Sequence, residues 1–170
     1  ESVGGIVHRS RVGDVYILED LVNVGGAFGG ETCGAWIFPD KSLCPDGVFS
    51  ALMFLKLLEE SGIKPSELGK GLPRLFLTRR KIACPNPIKI QVMESLENKI
   101  DSHFSGAVIS DIDGIRAEFP DKSWILIRPS GTEPILRITT EAMSEQESAK
   151  LAELSSELVH EALEEFTRKQ

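Results

Sequence analysis

Two apolar runs break on either side of a short polar segment. Trp124-Ile125-Leu126-Ile127 precedes Arg128-Pro129-Ser130-Gly131-Thr132-Glu133-Pro134, and Ile135-Leu136-Arg137-Ile138 follows. Runs rich in β-branched residues that flank a Pro/Ser/Gly turn form two strands joined by a tight loop. The loop carries what an anion needs. Arg128 offers a planar fork of donors that matches a phosphate. Ser130 and Thr132 offer hydroxyls, and Gly131 admits close approach of the backbone. Successive backbone N–H groups in such a turn form an anion-binding concavity. Arg137, further along the second strand, adds another positive charge. A plainer reading is a proline-glycine hairpin with an incidental arginine, and physical chemistry alone leaves both open.

The surroundings of this loop are strands. Val108-Ile109, Ile115-Arg116-Ala117-Glu118-Phe119 and the two runs above follow one another in quick succession. Their connections, Asp113-Gly114 and Pro120-Asp121-Lys122-Ser123, are too short for anything but antiparallel neighbours. Ile115, Ala117 and Phe119 alternate with Arg116 and Glu118, so that strand has a dry and a wet side. One helix precedes the strands. Asn86 is its expected N-cap with Pro87 at the first position. Ile88, Val92, Leu96 and Ile100, with Met93 beside them, form its buried stripe, and Lys89, Glu94, Glu97 and Lys99 form its wet face. A second helix opens at Ser144, with Glu147 completing a capping box. Its stripe is Leu151, Leu154, Leu158, Ala162 and Phe166, widened by Val159 and Leu163. The expected class is α+β: an antiparallel sheet with two helices on one face.

The first part of the chain reads differently. Gly5-Ile6-Val7 suggests a short strand, and Gly13 to Leu21 a short helix. Between Val24 and Ala35 glycines crowd around one carboxylate, Glu31. That is either a plain connecting loop or a ligand loop that presents Glu31. Asp46 caps a helix with Val48, Ala51, Leu52, Leu55 and Leu58 on one face, ending near Ser61 at the stop signal Gly62. Ser66 caps a turn at Glu67-Leu68. The segment Gly69-Lys70-Gly71-Leu72-Pro73 is the domain boundary, giving domains 1–71 and 72–170. Arg74 to Ala83 then forms a strand in which Arg79-Arg80-Lys81 is a solvated face. The lesser reading gives that basic run to an anion site between domains.

Composition excludes several functions. The net charge of −7 argues against general nucleic-acid binding, and it makes any phosphate site a local positive spot. No stretch has the length of a membrane span, and no secretory signal opens the chain. Cys33, Cys44 and Cys84 are odd in number and form no C-x-x-C pair, so neither a disulfide framework nor a zinc site is indicated and the cytoplasm is expected. His8, His103 and His160 have no partner at metal or triad spacing. Asp111-Ile112-Asp113-Gly114 is a hairpin turn rather than a metal loop, because further carboxylates are missing at calcium or magnesium spacing. The opening residues Glu1 to Val7 look like a chain met partway through a fold.

Four stretches together resemble the α-D-phosphohexomutases, the family of phosphoglucomutase, phosphomannomutase and phosphoglucosamine mutase. Arg128 to Pro134 is similar to their phosphate-binding signature. Gly29-Gly30-Glu31-Thr32-Cys33-Gly34 resembles their sugar-binding loop, Arg11-Val12-Gly13-Asp14 a segment shortly before it, and Asp46-Gly47 the start of a helix after it. The order is the family's, and the likeness covers nearly the whole chain. It implies the end of the third, α/β domain followed by the TBP-like fourth domain. It further implies a fragment of an enzyme that moves phosphate between O6 and O1 of a hexose. Arg128, Ser130, Gly131, Thr132 and Arg137 would hold the phosphate that does not react. Glu31, Cys33 and Gly30 would meet the sugar, and Arg9, Arg11 and Asp14 would face the cleft. The family's phosphoserine loop and its Asp-rich magnesium loop are not in this chain. Catalytic residues and Mg2+ are therefore expected on missing N-terminal domains, and the chain alone is expected to be inactive. Cys33 stands where the family usually has serine, which weakens that hydroxyl contact, and Ala35 where many members have histidine. Asp14 and Trp36-Ile37-Phe38-Pro39 look most like phosphoglucosamine mutases. A phosphomannomutase or phosphoglucomutase fragment and a non-catalytic phosphosugar-binding module are the alternatives.

Overall fold

The structure, a computed structural model, describes residues 4–167. Residues 1–3 of the opening segment lie outside it. The chain divides into two units, Glu1–Leu72 and Pro73–Gln170.

The second unit is built on alternation. Strand β7 (Ile135–Ala142) buries Leu136, Ile138, Thr140 and Ala142 and turns Arg137, Thr139 and Glu141 the other way. Strand β6 (Trp124–Pro129) does the same with Ile125 and Ile127 against Trp124, Leu126 and Arg128. With β3 (Phe76–Ala83), β4 (Val108–Ser110) and β5 (Ile115–Glu118) they form a wholly antiparallel sheet, ordered β3-β7-β6-β5-β4. Strand β3 is thus one edge and β4, only three residues long, the other. The dry face is covered by α3 (Lys89–His103) and α4 (Glu145–Thr167). Val92, Leu96 and Ile100 of α3 and Leu158, Val159 and Ala162 of α4 meet the inward strand residues in one core. Each large side chain buried there contributes about 1.5–3 kcal/mol, so the helices have no comparable reason to sit on the other face. Cys84 belongs to this core, where burial pushes its thiol up and leaves it a poor nucleophile.

Expected helix details change in four places. Leu154 is 40% exposed, and Ala152 and Ser155 take the inward positions, with Ser155 Oγ donating to the Leu151 carbonyl at 2.7 Å. Asn86 is not an N-cap. It begins a 3-10 turn, Asn86–Ile88, that precedes α3 and shows no side-chain cap. Lys89 is not on a wet face but half-buried. Ser144 does cap α4. Its Oγ accepts from Glu147 N–H at 3.2 Å and donates to the Glu147 carboxylate at 2.9 Å, so the return arm reaches the serine hydroxyl instead of its backbone.

The first unit has little core. Helix α1 (Asp14–Val24) lays Ile17 and Leu21 against Ile37 of a two-stranded hairpin, β1 (Gly29–Gly30) with β2 (Trp36–Ile37). Gly29 is a packing requirement there, since a Cβ would stand 2.6 Å from Ile17 Cγ2 and 2.7 Å from Leu21 Cδ1. No strand forms at Gly5 to Val7. Ile6 is fully exposed, and an extended segment without a neighbour has no ladder to join. Helix α2 (Gly47–Ser61) starts as read, with Asp46 Oδ1 accepting from Phe49 N–H at 2.9 Å, and stops at Gly62 in the left-handed region. Its apolar stripe does not pack: Val48, Leu52 and Leu55 are 75%, 59% and 60% exposed. A core of three residues is too small to reach it. The turn after α2, Pro65–Glu67, begins from Lys64, not from a Ser66 cap.

Candidate functional site

The loop from Ser130 to Pro134 is pinned by its inward groups. Ser130 N–H donates to the Ile135 carbonyl at 3.0 Å, and Glu133 N–H donates to Ser130 Oγ at 3.2 Å. Ser130 is buried, so its hydroxyl closes the loop from within. Three carbonyls are also tied inward. Lys89 Nζ, from the start of α3, donates to the carbonyls of Ser130 at 2.8 Å and Glu133 at 2.9 Å. Cys84 N–H donates to the carbonyl of Pro134 at 2.9 Å. Gly131 and Thr132 remain at the exposed tip. Among the described residues their N–H groups and the Thr132 hydroxyl have no hydrogen-bond acceptor or donor. A Cβ at Gly131 would meet nothing within 4 Å, so the fold itself does not ask for a glycine at that position.

The strands add a row of cations. Arg128 pairs with Arg137 across β6 and β7, and Arg137 pairs with Lys81 across β7 and β3. All three stand on the sheet face away from the helices. Like charges directly opposite one another are destabilising, and two carboxylates offset the repulsion. Asp113, in the turn between β4 and β5, holds Arg128 at 3.2 Å. Glu133 takes Arg137 at 2.6 Å and Lys81 at 3.4 Å. Arg137 also donates to Ser130 Oγ at 3.2 Å. Three cations, the Lys89 ammonium behind the loop and two carboxylates leave a local excess of positive charge in an acidic protein. That electrostatic pattern attracts a dianion.

The Arg137 guanidinium, and after it Lys81, hold the Glu133 carboxyl below the usual carboxylate range. The sign follows from linkage. A carboxylate whose folded-state pKa is depressed stabilises the fold at neutral pH, and this support is lost as pH falls through the lowered value. We expect the Glu133 side-chain carboxyl, followed by carbon-detected NMR, to titrate below an unpaired glutamate. In Arg137→Ala it should return toward the ordinary value; an unchanged midpoint would remove Arg137 as the cause.

The first unit positions the other expected residues. Glu31 opens the β1–β2 turn: its N–H donates to the Ala35 carbonyl and its carbonyl accepts from Gly34 N–H, both at 3.0 Å. Gly34 has φ +91°, which favours glycine. The Glu31 carboxylate is half-buried and has no hydrogen-bond or ion-pair partner among the described residues, and Cys33 is exposed in the same turn. Gly30 is accounted for by packing, since a Cβ would lie 2.7 Å from Trp36 Cδ1. Arg11 stacks over Tyr16 at 3.9 Å, Asp14 Oδ1 accepts from Val15 N–H at 2.9 Å, and Arg9 is exposed. Sequence reasoning singled out Arg128, Ser130 and Arg137, which the structure brings together. It gave no site role to Lys89, Asp113 or Glu133, and only the lesser reading to Lys81. Among the described residues no group of three or more His, Cys, Asp or Glu side chains gathers as a metal site. Asp113 is occupied by Arg128, so these residues do not fit a magnesium ion. No helix of the described residues is long and apolar enough to cross a membrane.

Comparison with known proteins decides the family. Residues 1–76 match phosphoglucomutase/phosphomannomutase alpha/beta/alpha domain III, and residues 81–157 match the C-terminal domain of the same family. The chain belongs to the phosphoglucomutase/phosphomannomutase family. It is similar to a probable phosphoglucosamine mutase of Pyrococcus abyssi, 45% identical over 161 residues, covering 95% of this chain and 35% of that protein. A probable phosphoglucosamine mutase of Pyrococcus horikoshii is 44% identical over 97% of this chain and 36% of its own length. A solved phosphoglucomutase/phosphomannomutase family protein from Burkholderia thailandensis superimposes with a TM-score of 0.74 at 26% identity, over 90% of this chain and 32% of that one. The chain thus spans about a third of the length of the relatives it matches and corresponds to the C-terminal part of a family member.

Proposed function

We propose that this chain is the substrate-holding part of a phosphohexomutase that moves phosphate between O6 and O1 of a hexose, with glucosamine phosphate as the substrate. The observation that carries the reading is the loop tip. Among the described residues, two N–H groups and one hydroxyl lack partners where a row of three cations meets the loop. Arg128, Gly131 and Thr132, with Arg137 and Lys81, hold the phosphate that does not react, and Ser130, turned inward, closes the loop behind them. Binding energy from this remote group orients the reacting end of the sugar. Glu31 accepts hydrogen bonds from a pair of sugar hydroxyls, with Cys33 beside it. Relatives named phosphoglucosamine mutases support the choice of sugar. The phosphoryl-transferring serine and the Mg2+ that assists it belong to the N-terminal domains of the same protein, its necessary partners, so this part alone is inactive. The reaction belongs in the cytoplasm.

The test is a titration of this 170-residue chain with glucosamine 6-phosphate, read at the backbone amides by NMR. Saturable shifts centred on Gly131 and Thr132 are expected, reproduced more weakly by inorganic phosphate. Absence of saturable shifts with both ligands at millimolar concentration would sink the reading.

A further inference from the structure

Lys89 is out of keeping with its surroundings. It opens helix α3 between Ile88 and Ile90, its side chain is half-buried, and its ammonium is spent on two backbone carbonyls 41 and 44 residues away. Carbonyls of a surface loop are ordinarily satisfied by water, so this use of a lysine asks for a reason. The peptide geometry supplies one. The C=O of Ser130 and the N–H of Gly131 belong to one planar trans peptide and point in opposite directions. A carbonyl drawn inward to Lys89 therefore turns the Gly131 N–H outward, toward the exposed tip. Glycine at 131 leaves that peptide plane easy to rotate, because no Cβ restricts it and no neighbouring atom stands within 4 Å of where one would be. The freedom that lets an anion approach the backbone is also the freedom to present a carbonyl to it. One orientation attracts a phosphate and the other repels it.

We propose that Lys89 is a positioning residue of the anion loop, which selects the orientation of the Ser130–Gly131 peptide in which the N–H faces the ligand. The second bond, to the Glu133 carbonyl, holds the far side of the loop in the same sense. The ammonium also stands behind the loop as a fixed positive charge, which further favours an anion in front of it. This role rests on the reading of the loop as a phosphate site, and it adds a residue that never touches the phosphate.

The experiment compares inorganic phosphate and glucosamine 6-phosphate binding by wild type, Lys89→Met and Lys89→Arg, each held well below its own unfolding temperature. Lys89→Met is expected to weaken both ligands about tenfold, the loss typical of a charge-assisted bond. Its Gly131 amide should lose the shift on titration. Lys89→Arg keeps the donors and restores most of the affinity. If Lys89→Met binds as tightly as wild type while melting earlier, the lysine serves stability only and the proposal fails. If wild type binds neither ligand, the phosphate reading fails first and the role of Lys89 falls with it. Where Lys89→Met does not fold, the wild-type protein decides. The 15N-labelled Lys89 ammonium is expected to exchange slowly with solvent and to shift on phosphate addition. Exchange as fast as that of the exposed lysines overturns the proposal.

Discussion

Gly114→Ala destabilises the second unit by about 3 kcal/mol or more, the range of strain combined with a core-type clash. Gly114 has φ +89°, and a Cβ there would stand 2.4 Å from the Ile127 carbonyl oxygen, 2.8 Å from Arg128 Cβ and 2.9 Å from Arg128 Cα. Two of these are backbone atoms of the central part of the sheet, so relief requires β5 to move off β6. Gly106 provides the comparison. It has φ +84° and nothing within 4 Å of its would-be Cβ. Gly106→Ala then carries the backbone term alone, about 1–2 kcal/mol. Urea unfolding of the two variants separates the effects, and equal midpoints would mean that the close approach of β5 to β6 has been misjudged. Gly114→Ala also disturbs the residue that orients Arg128, so its folded fraction should bind phosphate poorly.

Arg128→Ala lowers the affinity for glucosamine 6-phosphate by roughly 30- to 4,000-fold, the usual loss of about 2–5 kcal/mol when one partner of a close charged pair is truncated. Two losses combine. The phosphate gives up a two-pronged donor, and Asp113 keeps its negative charge beside the site with no guanidinium to balance it. Arg128→Lys should recover only part of the binding, since an ammonium cannot reproduce the fork. Arg80→Ala is the control. Arg80 lies on the same basic run of β3 but pairs with Glu153 of α4 at 3.8 Å, on the helix side. It removes the same formal charge from the protein and should leave binding nearly unchanged. Equal losses for Arg80→Ala and Arg128→Ala in isothermal titration would mean that net charge, not the loop, governs affinity.

The sheet was legible because its information is local. Ile115, Ala117 and Ile138 alternate with polar neighbours, and a two-residue period admits only one assignment of faces. The loop was legible as chemistry for the same reason, since Arg128, Ser130 and Thr132 are adjacent in sequence. What supports the loop is not local. Lys89 comes from another element, and Asp113 from a turn whose aspartates fit a hairpin without further purpose. No spacing rule connects either to residue 128 or 130; only the folded sheet does. The misplacement of Leu154 has a different origin. A helical stripe fixes a face to within about one residue, and α4 turns slightly farther toward Ala152 and Ser155. Helix α2 shows the remaining limit. The pattern of Val48, Leu52 and Leu55 states that a face is meant to be covered, and carries nothing about the surface that covers it.

The position of β3 gives its basic run a second consequence. An edge strand eight residues long exposes a row of unpaired N–H and C=O groups to which another extended chain can add. Arg79, Arg80 and Lys81 lie along that edge in mid-strand, where a docking strand would have to bring its own side chains against three positive charges. Among the described residues, the five-stranded sheet is therefore guarded at its long edge by charge and at its other edge by brevity, since β4 has three residues. On the phosphate reading proposed above, Lys81 would be shared between the two tasks. A sequence free to drop the ligand would then still have reason to keep a cation there, and one free to add a strand would first give up part of the proposed anion site.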